Sequence, residues 1–224
     1  MLQKIDAEGT LLPLSLIFWG ALICIIDLTI KHEDARGQGL QFDIVNDAVG
    51  WLMIGTALLS LRKVWADQHH QSVMTFCIVM TGINLGLALV LHIVFDAPWL
   101  IEVIFVLILF VTFLAAIMFC HAMGNICRTI ELPDVETNWR LTSRLIWFLW
   151  ILPAAIILIV GAALGARNDA TTEPANPLAV CGYMIGMMLL LIAPMVYFGI
   201  AIYHMKIALI ERRASDRFKS ELDH

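Results

Sequence analysis

The stretch that decides the fold is Ser72 to Met123, SVMTFCIVMTGINLGLALVLHIVFDAPWLIEVIFVLILFVTFLAAIMFCHAM. It contains two long apolar runs separated only by Asp96-Ala97-Pro98. Runs of about 18 or more apolar residues are the signature of membrane-spanning helices. The spacing therefore predicts a helical hairpin, with one span over 72–94 and the next over 99–123. Three ionisable residues sit at or just inside its turn: His92, Asp96 and Glu102.

Outward from the hairpin, the same pattern recurs. Further apolar runs cover 11–30, 44–61, 145–165 and 178–203. The chain is 60% hydrophobic and 15% charged, where a soluble domain averages about 45–50% and about 25%. The runs are continuous and do not alternate, which argues against a β-barrel. The expectation is an all-α fold: a single polytopic domain over 1–224, an integral membrane bundle of six transmembrane helices with a charged tail over 204–224. The first run is too long for a signal-peptide core and reads as a retained span.

Charge placement gives the orientation. Six spans put both termini on one side, and eleven of the 14 Lys and Arg residues fall there. The positive-inside rule then predicts N-in/C-in topology in a bacterial plasma (inner) membrane. Asp27, Asp43, Asp47, His92, Asp96 and Glu102 fall at the outer face, and Cys120, His121, Cys127 and His204 at the inner face.

Local signals fill in the bundle. Pro13 is placed in the first turn of its span, where a missing N–H does no harm. Asp27 and Lys31 stand four apart, the spacing of a helical ion pair. The connection 31–41 is polar, with a Gly37-Gln38-Gly39 turn signal. Gly82 and Gly86 have the GxxxG spacing that admits a close neighbouring helix. Asn84, between them, needs a partner on another helix. His69-His70 reads as a solvated loop pair. Residues 124–144 read as the longest connection, broken at Leu132-Pro133-Asp134, with Thr137 or Asn138 capping the next helix. Pro153 and Pro194 lie within spans and should kink them. The five cysteines form no C-x-x-C pair, and a disulfide framework is not expected.

The segment Phe42-Asp43-Ile44-Val45-Asn46-Asp47-Ala48-Val49-Gly50-Trp51-Leu52-Met53-Ile54-Gly55 resembles the I-D-x-x-P-D-x-x-G-Y segment of small multi-pass bacterial membrane proteins of unknown function. The resemblance covers residues 11–65. Asp43, Asp47, Gly50 and the aromatic Trp51 agree, and Asn46 stands where the pattern has Pro. It implies a membrane architecture and no activity.

Two groups of residues could carry chemistry. His92, Asp96 and Glu102 form a carboxylate–His–carboxylate set suited to a divalent cation or to proton exchange. Cys120 and Cys127, seven apart, would share a face of a continuous helix, and His121 and His204 could join them in a zinc or haem site. Several activities are argued down. All five lysines lie at or beyond span ends, against a Schiff base inside the bundle. No charged residue falls mid-span, against a carrier with a central carboxylate. No phosphate-loop, nucleophile-elbow or H-E-x-x-H pattern occurs, and no basic stripe suggests nucleic acid. No cofactor is expected. The partners expected are the lipid bilayer and other membrane proteins. The function expected is that of a non-enzymatic accessory or interaction protein; the alternative is a small permease or ion-handling protein using the outer acidic/His set.

Overall fold

The computed structural model describes residues 7–25, 29–33, 39–43, 47–65, 67–93, 99–153, 155–156, 192–212 and 214. Within these, side chains are not described for 7–9, 25, 29–33, 39–43, 90–93, 99–103 and 105–106. The elements are α1 (Ala7–Ile25), β1 (Thr29–Glu33), β2 (Gly39–Asp43), α2 (Asp47–Val64), α3 (Gln68–Ile93), α4 (Trp99–Thr129) and α5 (Pro133–Ile146). A π-helical turn, Trp147–Ile151, continues α5, and α6 covers Ile192–Arg212. The chain divides into two compact units, Met1–Ala115 with Ile202–His224, and Ala116–Ala201.

The fold is helical, as the apolar runs predict. By length and composition, three helices among the described residues can cross a membrane: Gln68–Leu89, Leu107–Thr129 and Ile192–Arg212. Their outward residues are themselves apolar, among them Val79, Ile83, Leu107, Leu114, Val196 and Ile210. A helix that is apolar on its exposed side as well as its buried side belongs in lipid. The remainder of the 145–165 and 178–203 runs lies outside the described residues.

In the first unit the helices run up and down. Gly20 meets Gly50 and Cys24 meets Asp47, so α1 and α2 are antiparallel. Gly55 lies beside Thr81 and Leu61 beside His70, which makes α2 and α3 antiparallel. Asn84 bonds Thr112 and Cys77 bonds Ala115, so α3 and α4 are antiparallel too.

Several boundaries differ from the sequence reading, each for a physical reason. Helix α1 begins at Ala7 and ends at Ile25, so Pro13 is an interior residue rather than a first-turn one. Its missing N–H removes one backbone bond inside the helix. Beyond α1 the chain forms an antiparallel hairpin, with Thr29 opposite Asp43, Lys31 opposite Gln41 and Glu33 opposite Gly39. Lys31 therefore belongs to a strand, and the helical Asp27–Lys31 pairing does not apply; Asp27 itself is outside the described residues. A helical period cannot see this hairpin, because the alternation of Ile30 and His32 with polar neighbours is only five residues long.

The largest difference is at 124–144. Instead of a long connection, α4 runs on to Thr129 and α5 starts at Pro133. Three residues join them. The amide of Leu132 donates to Cys127 O (2.8 Å) and that of Glu131 to Arg128 O (3.1 Å). Glu131 has φ 60. This is the Schellman closure, which satisfies the last carbonyls of a helix through one left-handed residue. Glycine usually takes that position, so its replacement by Glu131 hides the turn from a sequence reader. Pro133 does not break a helix here; it opens one, since the first helical residue needs no N–H. Thr137 caps nothing, and its hydroxyl donates to Pro133 O (3.0 Å) inside α5.

At the other end of α5, the amide of Leu152 donates to Trp147 O, five residues back. The widened turn stands just before Pro153, where the ring would otherwise press on the carbonyl four residues earlier. Ile146 and Ile151 are both buried, five residues apart, which is the spacing the wide turn puts on one face. Pro194 is the third residue of α6 as described and is fully buried.

Candidate functional site

Apart from Thr10 on α1, the polar side chains that the described helices bury cluster in three places. The first is the seam between α3 and α4. Asn84 is buried on α3. Its amide donates to Met80 O (2.8 Å) on its own helix and to Thr112 Oγ1 (2.7 Å) on α4. The Thr112 hydroxyl in turn donates to Ile108 O (2.8 Å). Seven residues earlier on α3, the Cys77 thiol donates to Ala115 O across the same seam (3.4 Å). Buried Thr81 returns its hydroxyl to Cys77 O (2.8 Å). The partner expected for Asn84 on another helix is thus Thr112, and the arrangement binds helix to helix. Gly82 and Gly86 behave differently from the GxxxG expectation: both are exposed, and a Cβ added at either would meet nothing within 4 Å.

The close backbone approach lies elsewhere, between α1 and α2. A Cβ on Gly50 would stand 2.5 Å from Cys24 Sγ and 2.6 Å from Gly20 O. One on Gly20 would stand 2.7 Å from Gly50 O. Neither glycine has a partner at GxxxG spacing, so the motif does not mark them. The available signal was that each is an isolated glycine inside an otherwise bulky apolar run.

The second place is the junction of α2 and α3. Asp67 caps α3, its Oδ2 accepting from the His70 amide (3.1 Å). His69 is exposed, but His70 is buried in the first turn of α3 rather than solvated in a loop. Its Nε2 lies 3.3 Å from Leu61 O. With the Nε2–H tautomer it donates to one of the carbonyls that the end of α2 leaves without an intrahelical partner.

The third place is the α4–α5 elbow, in the second unit. Glu136 Oε1 accepts from Arg128 Nε (2.9 Å) and Nη2 (2.7 Å) on α4, and from Arg140 Nη2 (2.6 Å) one turn along α5. Behind it Trp139 is fully buried, edge-on to Phe119 and Phe198. His121 Nε2 lies 3.2 Å from Ser143 Oγ. Cys120 and Cys127 are buried on the continuous α4, as their spacing requires. His121 does not join them: it is exposed, with Ser143 beside it. His204, in the other unit, is exposed beside Tyr203. Among the described residues no three His, Cys, Asp or Glu side chains come together as metal ligands. The physical reason is that the helix phase turns His121 outward while its neighbour Cys120 faces in.

The outer set expected from sequence is placed only by its backbone. His92 is in the last turn of α3 and Glu102 in the first turn of α4. Their side chains, and Asp96 altogether, lie outside the described residues. Read from the pairs 84–112 and 77–115, the antiparallel register puts positions 92 and 102 at one level.

No family model, no curated protein and no solved structure matches the chain.

Proposed function

We propose that the chain is a multi-pass protein of the bacterial plasma membrane, with both termini in the cytoplasm, and that it acts without catalysis as an accessory or interaction subunit. The observation that carries this reading is the use made of polar groups within the apolar helices. Asn84, Thr112, Thr81 and Cys77 all spend their polar atoms on backbone carbonyls or on each other. Two of these bonds, Asn84 to Thr112 and Cys77 to Ala115 O, join α3 to α4, and the others return to the backbone of their own helix; interhelical glue and backbone satisfaction are the ordinary roles of polar residues in lipid. The cation asymmetry supports the orientation, and the resemblance of residues 42–55 to small multi-pass bacterial membrane proteins supports the setting. The test is electrophoresis of mildly solubilised native membranes under native conditions. The expected result is migration with other subunits, well above what one or two 25.1 kDa chains account for. Migration of the free chain alone would overturn the reading. Reporter fusions at each terminus and at residue 97 test the orientation separately.

The alternative is an ion-handling protein with a cation site at His92, Asp96 and Glu102. The level register of positions 92 and 102 favours it. In that case H92A and E102Q would each remove bound divalent metal from the purified protein, and metal content unchanged in both variants would end this reading.

A further inference from the structure

Helix α5 is the one described helix with sharply divided faces. Val135, Trp139, Thr142, Ser143 and Ile146 are buried. The opposite face carries Asp134, Thr137, Arg140, Leu141 and Arg144, all exposed. Helical geometry continues without a break into Trp147 and Phe148, which are 48% and 57% exposed. Charge is graded along this face. Asp134 stands in the first turn, about 15 Å of helix rise from Arg144, and the arginines stand next to the exposed aromatics. Arg128 and Arg140 share the single carboxylate of Glu136, so the pair retains one net positive charge. Arg144 has no ion pair among the described residues and adds a second. The cations thus border a surface that is aromatic and apolar on one side and polar on the other.

We infer that this face docks anionic phospholipid headgroups, with Arg140 and Arg144 as the anchors and Trp147 and Phe148 seated at the acyl boundary below them. The charge complementarity is specific in kind. Planar guanidinium groups match phosphate oxygens in pairs, and indole rings favour the level of the headgroups. Helix continuity through the π-turn fixes the height of the arginines over the apolar boundary, which a flexible loop would not. An acidic protein segment would also meet the arginines, but it would leave Trp147 and Phe148 in water. The inference rests on the chain being membrane-embedded and is indifferent to which side of the membrane α5 occupies. A failed topology assignment would therefore leave it intact.

The test uses the full chain in neutral detergent, titrated separately with phosphatidylglycerol, phosphatidylcholine and free glycerol 3-phosphate, with bound lipid counted by native mass spectrometry. Phosphatidylglycerol is expected to bind more tightly than phosphatidylcholine. R144Q should weaken it about fivefold, and R140Q/R144Q about twenty-five-fold, as one surface cation contributes about that much to anionic-lipid binding. The charge-matched R62Q/K63Q should retain the affinity. Should the double variant fail to fold, R144Q carries the test, since its side chain has no described ion pair to lose. Four results would overturn the inference: equal binding of the two lipids; unchanged affinity in R144Q and the double variant, which would leave the arginines to an acidic protein; an equal loss in R62Q/K63Q; or displacement of the lipid by glycerol 3-phosphate alone, which would mark a soluble phosphate site.

Discussion

The α1–α2 pair and the α3–α4 pair solve one problem in opposite ways. Both join antiparallel helices rich in apolar residues, and for such helices in lipid burial alone would give little preference. In α1–α2 the backbones touch: Gly20 and Gly50 leave no room for a methyl group on either side. In α3–α4 the helices are joined by Asn84, Thr112 and Cys77, and the helix that carries the glycine motif turns both motif glycines outward. The lesson is that spacing of small residues shows where a helix is able to approach, while the bulk on the facing helix decides where it does.

The strongest way to break this comparison is at Gly50. G50A places a carbon against the Gly20 carbonyl, a backbone atom that cannot swing aside, and against Cys24 Sγ. It should destabilise the protein by about 1–3 kcal/mol, the usual range for overpacking, read as the shift in thermal unfolding in detergent. Next in size is the polar seam. N84A should reduce stability by about 1 kcal/mol, and a double-mutant cycle with T112V should return a coupling of about 0.6 kcal/mol. A coupling of zero would mean that the seam is held by packing alone. The elbow supplies a gain rather than a loss. E131G relieves the left-handed backbone at φ 60 and should raise stability by about 1 kcal/mol or less, since glycine takes that conformation without steric cost. Last, G82A and G86A should each raise stability by about 0.5–1 kcal/mol, the helix-interior cost of glycine relative to alanine. A loss as large as that of G50A would mean that the motif glycines pack after all.

The sequence reader's success follows from what periodicity measures. Long charge-free runs located α3 and α4, and the cost of a lone amide in lipid correctly demanded a partner for Asn84. The failures share a cause as well. Pro133 reads as a stop by its effect inside helices, although at a first helical position it is favourable. Glu131 concealed a Schellman turn by standing where glycine is usual. Gly20 and Gly50 are far apart in sequence, and their meeting depends on the α1–α2 register, which no local window contains. His70 reads as solvated because the polar stretch 62–71 reads as a loop. The cap from Asp67 starts the helix earlier, which carries the ring back over the end of α2. For His92, Asp96 and Glu102, proximity in sequence supplied the set, and the described structure adds only that positions 92 and 102 are level.

The wide turn at Trp147–Ile151 makes the length of this helix and its proline interdependent. Ile146 and Ile151 share a buried face at a spacing of five. Deleting one residue between them would leave a spacing of four, which an ordinary α-helix also puts on one face. The shortened chain would keep its buried stripe and lose the slack ahead of Pro153. Such a deletion should therefore be tolerated only together with P153A. Homologous chains of unequal length at this point would be expected to differ at position 153 as well.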